Sequence, residues 1–230
     1  MTETTLHTRP DRGFTMVELM VTVGIFTIIS ALLLANYPSF SSRIVLENVA
    51  HEIGLSVRQA QSYGLNVRVN IGTGQAIFPP YGVHFSFSGV SQDDPTDEKK
   101  FMLFADLLPD VNNPTSNNKR YDGASGCDVS GGECVELFTI QSSEKIVALC
   151  GNLKSSGATL ENWQSVPGAD CSLTALDIVF TRPDPDATIT GESVVAGEAV
   201  SFSDAEIVVA SPRGDKKTVV VWQTGQIAVE

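Results

Sequence analysis

The sequence predicts an α+β protein: one long N-terminal helix, first apolar and then amphipathic, packed on a mostly antiparallel C-terminal β-sheet or β-sandwich domain. Three observations predict it. Residues 19–35 form a run of seventeen without a charge. Beyond them, apolar residues recur about every four positions, the spacing of one helix face. From Leu65 onward, short segments rich in β-branched and aromatic residues alternate with turn chemistry, the pattern of strands.

The chain opens with a polar leader, 1–13, that carries His7, Arg9, Asp11 and Arg12. Residues 14–35 follow, and 22 residues make ~33 Å of helix, enough to cross a bilayer core of ~30 Å. Thr22, Gly24, Thr27 and Ser30 are small, and small residues let helices approach closely in lipid. Arg9 and Arg12 place the leader end on the cytoplasmic side. Glu18 is the anomaly at the edge of the apolar run. A carboxylate there costs a few kcal/mol unless it is paired or reaches the headgroups.

The amphipathic half covers 38–64. Val45 or Leu46, Val49, Ile53, Val57 and Ala60 form one stripe, with Arg43, Glu47, Glu52, Arg58 and Gln59 on the other face. Gly64 reads as the C-terminal stop, and Pro38 predicts a kink near 36–38. The span is therefore 14–37, and everything from 65 to 230 is one β-rich domain. Strands are expected at 66–71, 82–88, 100–105, 135–140, 145–149, 173–181, 200–209, 218–224 and 226–229. Ser211-Pro212-Arg213-Gly214-Asp215 and Thr224-Gly225-Gln226 turn the chain between the last of them. Residues 110–132 are almost free of apolar side chains and read as a long surface loop.

Gly13-Phe14-Thr15-Met16-Val17-Glu18, running into the apolar stretch, resembles the prepilin signal of type IV pilins and type II secretion pseudopilins. The resemblance implies the pilin fold, cleavage after Gly13 and N-methylation of Phe14 by a prepilin peptidase/methyltransferase. A secretory signal is cut after its apolar core, whereas this cut precedes the core and leaves it in the mature chain. Glu18 becomes the fifth residue. Its partner is then the ammonium of Phe14, in this or a neighbouring subunit, with snorkelling to the headgroups as the rival reading. The implied partners are membrane lipid, an inner-membrane assembly platform and other pilin or pseudopilin subunits. The implied location is the cytoplasmic membrane, single-pass with the N-terminus cytoplasmic, and afterwards an extracytoplasmic filament. Two patches narrow the likeness. Ile53-Gly54-Leu55-Ser56-Val57-Arg58-Gln59-Ala60-Gln61-Ser62, and the closing Ile207-Val208-Val209, Val219-Val220-Val221 and Thr224-Gly225-Gln226-Ile227, are similar to minor pseudopilins of the H type, the FimT-like group. The middle, 101–187, is longer than that group's pattern.

Charge and composition sort the functions. The net charge is −12, and beyond Gly64 there are 22 acids against 11 Lys and Arg. Such a domain repels nucleic acid. The alternative to a structural subunit is a pilus-associated DNA-uptake protein, as some FimT-like proteins are, but only Arg213, Lys216 and Lys217 cluster. Cys127, Cys134, Cys150 and Cys171 suit two disulfides in an oxidising compartment. Three connectivities are open; Cys127–Cys134 and Cys150–Cys171 close the most local loops, and the spacings are not those of a zinc site. Asp106, Asp110 and Asp122 could form a weak calcium loop, without EF-hand spacing; no other cofactor is expected. No catalytic residues are assigned. His84 alternates outward beside Val83 and Phe85, and nothing suggests a Ser-His-Asp arrangement.

Overall fold

Helix α1 (Met16–Leu65) is 50 residues long and is continuous through Pro38. The computed structural model describes residues 13–66, 78–87, 96–107, 109–110, 113–122, 127, 132–193 and 199–230, and for 35–40, 109–110 and 113–117 the backbone alone. The leader, the strand expected at 66–71 beyond Asn66, and much of 110–132 lie outside the described residues. The chain forms two compact units, one ending at Ser42 and one running from Arg43 to Glu230.

In the first unit, Met16–Leu34 is long and apolar enough to cross a membrane, with a mean hydropathy of 2.3 and none of the window buried. Two side chains that could trouble lipid are satisfied within the helix. Thr22 donates its hydroxyl to the Leu19 carbonyl (3.0 Å) and Thr27 to the Val23 carbonyl (2.8 Å), the usual back-bonding of helical Thr.

The second unit is antiparallel throughout. A six-stranded sheet contains β1 (Tyr81–Ser86), β2 (Lys100–Ala105), β5 (Cys134–Thr139), β7 (Leu173–Phe180), β8 (Ala187–Ser193) and β9 (Ala199–Phe202), in the order β5-β2-β1-β7-β8-β9. A four-stranded sheet contains β6 (Lys145–Gly151), β10 (Asp204–Ala210), β11 (Lys216–Trp222) and β12 (Ile227–Val229), in the order β12-β11-β10-β6. A two-stranded ribbon, β3 (Pro109–Asp110) with β4 (Asn113–Asn117), interrupts the expected long loop. Helix α2 (Leu153–Ser156) and a 3₁₀ turn (Trp163–Ser165) lie between β6 and β7.

One core joins these parts. Leu46, Val49, Ile53, Val57 and Ala60 are buried on α1 against Val83, Phe85, Phe101, Leu103, Leu176, Ile178 and Phe180 of the larger sheet and Ile207, Val209, Val219 and Val221 of the smaller. Each fully buried Ile, Val or Leu stabilises by about 1.5–3 kcal/mol, so the stripe accounts for the docking of this half of the helix. Gly64 does not stop the helix, which continues to Leu65. It sits where a Cβ would lie 2.5 Å from the Phe180 carbonyl oxygen, so its smallness admits β7. The stretch expected as a single strand at 200–209 is two strands in different sheets. The change of sheet occurs at Ser203, whose N–H donates to the Asn152 side-chain oxygen (2.8 Å).

The two sequence patches that carried the narrower likeness meet in space. Gln61 donates to the Gly225 carbonyl (3.2 Å) and the Pro185 carbonyl (3.3 Å). A Cβ at Gly54 would meet Val219, Ile227 and Val229 at ordinary contact distance, so this face of α1 lies over the closing strands.

Candidate functional site

Two constellations stand out, one at the start of α1 and one on the outer face of the larger sheet.

At the first, Gly13 precedes the helix and Phe14 is 79% exposed. Thr15 caps α1: its hydroxyl oxygen accepts the Glu18 N–H at 3.2 Å. Thr15-Met16-Val17-Glu18 has the spacing of a capping box, a Ser or Thr followed three residues later by Glu. The sequence reading missed this Thr15 cap. A carboxylate in the first helical turn also complements the positive end of the helix dipole. An amino group freed at Phe14 would place a positive charge at that same end, and Glu18 is the nearby charge of opposite sign. From Val17 to Leu34 the large apolar side chains are exposed on every side of the helix, far beyond the few hundred Å² of contiguous apolar surface a soluble monomer normally shows. Gly24 has open space where a Cβ would be.

The second constellation corrects the placement of His84. It does point away from Val83 and Phe85, but that face is covered, and His84 is 5% exposed. Its Nδ1 lies 2.7 Å from Oδ1 of Asp177, its cross-strand partner on β7. The Tyr121 ring covers His84, with centroids 4.8 Å apart, and also meets Phe104. Arg120 approaches Asp177 Oδ2 at 3.9 Å and pairs with Glu192 on β8. Glu133, buried, ties both ends of the covering segment: it accepts the Leu107 N–H (3.1 Å) and the Asp122 N–H (2.9 Å). Asp106 accepts the Lys119 N–H at 2.7 Å. Burial pushes the Asp106 carboxyl up to about 7, and the charges of Glu133, Asp122 and Asp177 add to the rise, against the Lys119 hydrogen bond. Asp177 and His84 are thus clamps for a segment that shields the sheet.

Of the proposed calcium residues, Asp106 and Asp122 take internal donors, the latter from the Asn118 amide at 2.7 and 2.9 Å. The side chain of Asp110 is outside the described residues. Among the described residues no three His, Cys, Asp or Glu side chains converge as a metal site. The cysteines are joined as Cys127–Cys134 and Cys150–Cys171. The second pair holds the segment containing α2 against β6, where Leu153, Ala158, Leu160, Trp163 and Val166 form a small separate core.

Residues 8–34 match the family described as the prokaryotic N-terminal methylation motif. No curated protein and no solved structure matches the chain. The chain carries the N-terminal methylation signal of type IV pilins and pseudopilins, followed by an apolar helix and an antiparallel β-domain.

Proposed function

We propose that the protein is a minor pilin or pseudopilin, a structural subunit and not an enzyme, of a type IV pilus or a type II secretion pseudopilus. The observation that carries this reading is the methylation motif at 8–34, which takes in Met16–Leu34, a helix long and apolar enough to cross a membrane. In this reading 1–13 is removed, Phe14 is methylated, 14–37 is held in the cytoplasmic membrane and then in the filament core, and 38–64 carries the extracytoplasmic domain. Assembly exchanges lipid contacts for contacts between helices, where close packing is the main attraction. Glu18 sets the axial register by pairing with the Phe14 ammonium of a neighbouring subunit, an interaction strengthened by low dielectric. The contact of the 53–62 patch with the closing hairpin supports placement in the H-type group.

The DNA-uptake alternative gains no support from the charge distribution: of the basic residues only Arg213, in the turn before β11, and Lys216 and Lys217, at the start of β11, cluster, in an acidic protein. Saturable retention of DNA on filters at low salt would revive it.

The test is processing followed by incorporation. Gly13→Leu is expected to leave the full-length precursor on a gel, and normal processing would remove the assigned cut. Glu18→Ala is expected to be processed and membrane-bound but to enter filaments at least tenfold less. Wild-type incorporation would eliminate the pairing argument.

A further inference from the structure

Between α2 and β10 lies a cleft of about 420 Å³ that neither the anchor nor the processing signal uses. Its walls are Leu153, Leu160, Thr159 and Thr218, with Glu161 also lining it and Glu206 of β10 buried within it. Glu206 is 4% exposed, yet its Oε1 has no hydrogen-bond partner among the described residues. A buried acceptor left unmatched forfeits its desolvation cost, which a donor entering the cleft would recover.

The charges around it specify that donor. Asp204 is fully buried beside Glu206 and already accepts the N–H groups of Lys154 (3.1 Å) and Ser155 (3.0 Å). Lys154, the one cation lining the cleft, is engaged by Glu230 at 2.6 Å. Glu206, Asp204 and Glu161 therefore leave the cleft short of positive charge. Burial pushes the Glu206 carboxyl up to about 7; Lys154 opposes the rise and the charges of Asp204 and Glu230 add to it.

We propose that this cleft binds one organic cation, a primary ammonium or a guanidinium, with its charged end on Glu206 Oε1 and its apolar stem along Leu153 and Leu160. A lysine or arginine side chain of a neighbouring polypeptide has this chemistry, and so has a free alkylamine. Binding ionises Glu206, and its proton leaves to solvent.

The test titrates the processed full chain, in nonionic detergent, with Nα-acetyl-lysine amide, Nα-acetyl-arginine amide, ethylammonium and the neutral Nα-acetyl-norleucine amide, followed by calorimetry. At least one cationic probe is expected to bind saturably, about tenfold more tightly at pH 8 than at pH 6 as Glu206 ionises, while the norleucine amide does not bind. Preference for the amides over ethylammonium assigns the site to a polypeptide side chain; equal binding assigns it to a free amine. Glu206→Gln is expected to weaken binding at least tenfold, while Glu47→Gln, an exposed charge on α1, leaves it unchanged. Leu160→Lys, which supplies a cation from within, is expected to block every probe. Equal binding of the neutral amide, undiminished binding to Glu206→Gln, or no binding at 10 mM probe overturns the proposal.

Discussion

The two halves of α1 are both rich in apolar residues, but they differ in how those residues are arranged. Around 16–34 they project on every side and none of the window is buried. Around 46–60 they fall on one stripe, where Ile53, Val57 and Ala60 have no exposure at all, and Glu47, His51, Glu52 and Leu55 face outward. An all-round apolar helix needs a solvent or a partner that is itself apolar everywhere; a striped one needs a single protein face. Within one helix, periodicity distinguishes these two environments better than hydrophobicity does.

The largest expected effect exploits that difference. Ile53→Ala should destabilise the β-domain by about 2–5 kcal/mol, through lost transfer energy and the cavity left behind. Ile25→Ala, the same change in the other half, should leave the thermal unfolding of the β-domain unaltered. Equal effects from both would mean that the two halves share a core. A smaller effect sharpens the description of the buried side. The Asp106 carboxyl titrates at about 7 in the fold against 3.8 ordinarily, and Glu206 at about 7 against 4.5. The folded state therefore holds extra protons between those values, and stability falls as pH rises through 7. Between pH 5.5 and 8.5 each group should cost about 1–2 kcal/mol, measured by chemical denaturation in detergent. Asp106→Asn should remove its own share and leave that of Glu206; an unchanged pH slope would mean that Asp106 is not the proton's site. The smallest effect lies on the exposed side. Thr15→Ala should lose about 0.5–2 kcal/mol of capping, seen as faster hydrogen exchange at the Glu18 amide with no change in the β-domain.

The sequence made the helix, its two halves and most strands legible because each rests on a local pattern. It was less informative where a distant segment decides. Alternation placed His84 opposite Val83 and Phe85, but could not show that Arg120 and Tyr121, some forty residues later, close over it. Gly64 looks like a helix end until Phe180 is seen crossing it. Strand β8 alternates Thr188, Ile189 and Thr190, but it begins just after Pro183 and Pro185 and contains Gly191, which obscured it. The division at Ser203 has no local signal, since the residues on both sides favour strand and the contacts that fix it are distant: its N–H donates to the Asn152 side chain and its carbonyl accepts the Gln223 N–H. In the buried clamp, the acids Asp106, Glu133 and Asp177 are scattered along the chain, and only folding brings their charges together.

The passage through Ser203 has a mechanical consequence. The last strand of one sheet and a central strand of the other are joined by that single residue, which is itself fastened to Asn152. With no slack at the junction, the sheets cannot separate like two loosely tethered plates. A tug that displaced one would drag the other at once, so the globular part should yield as a single block, with one rupture event under load instead of two.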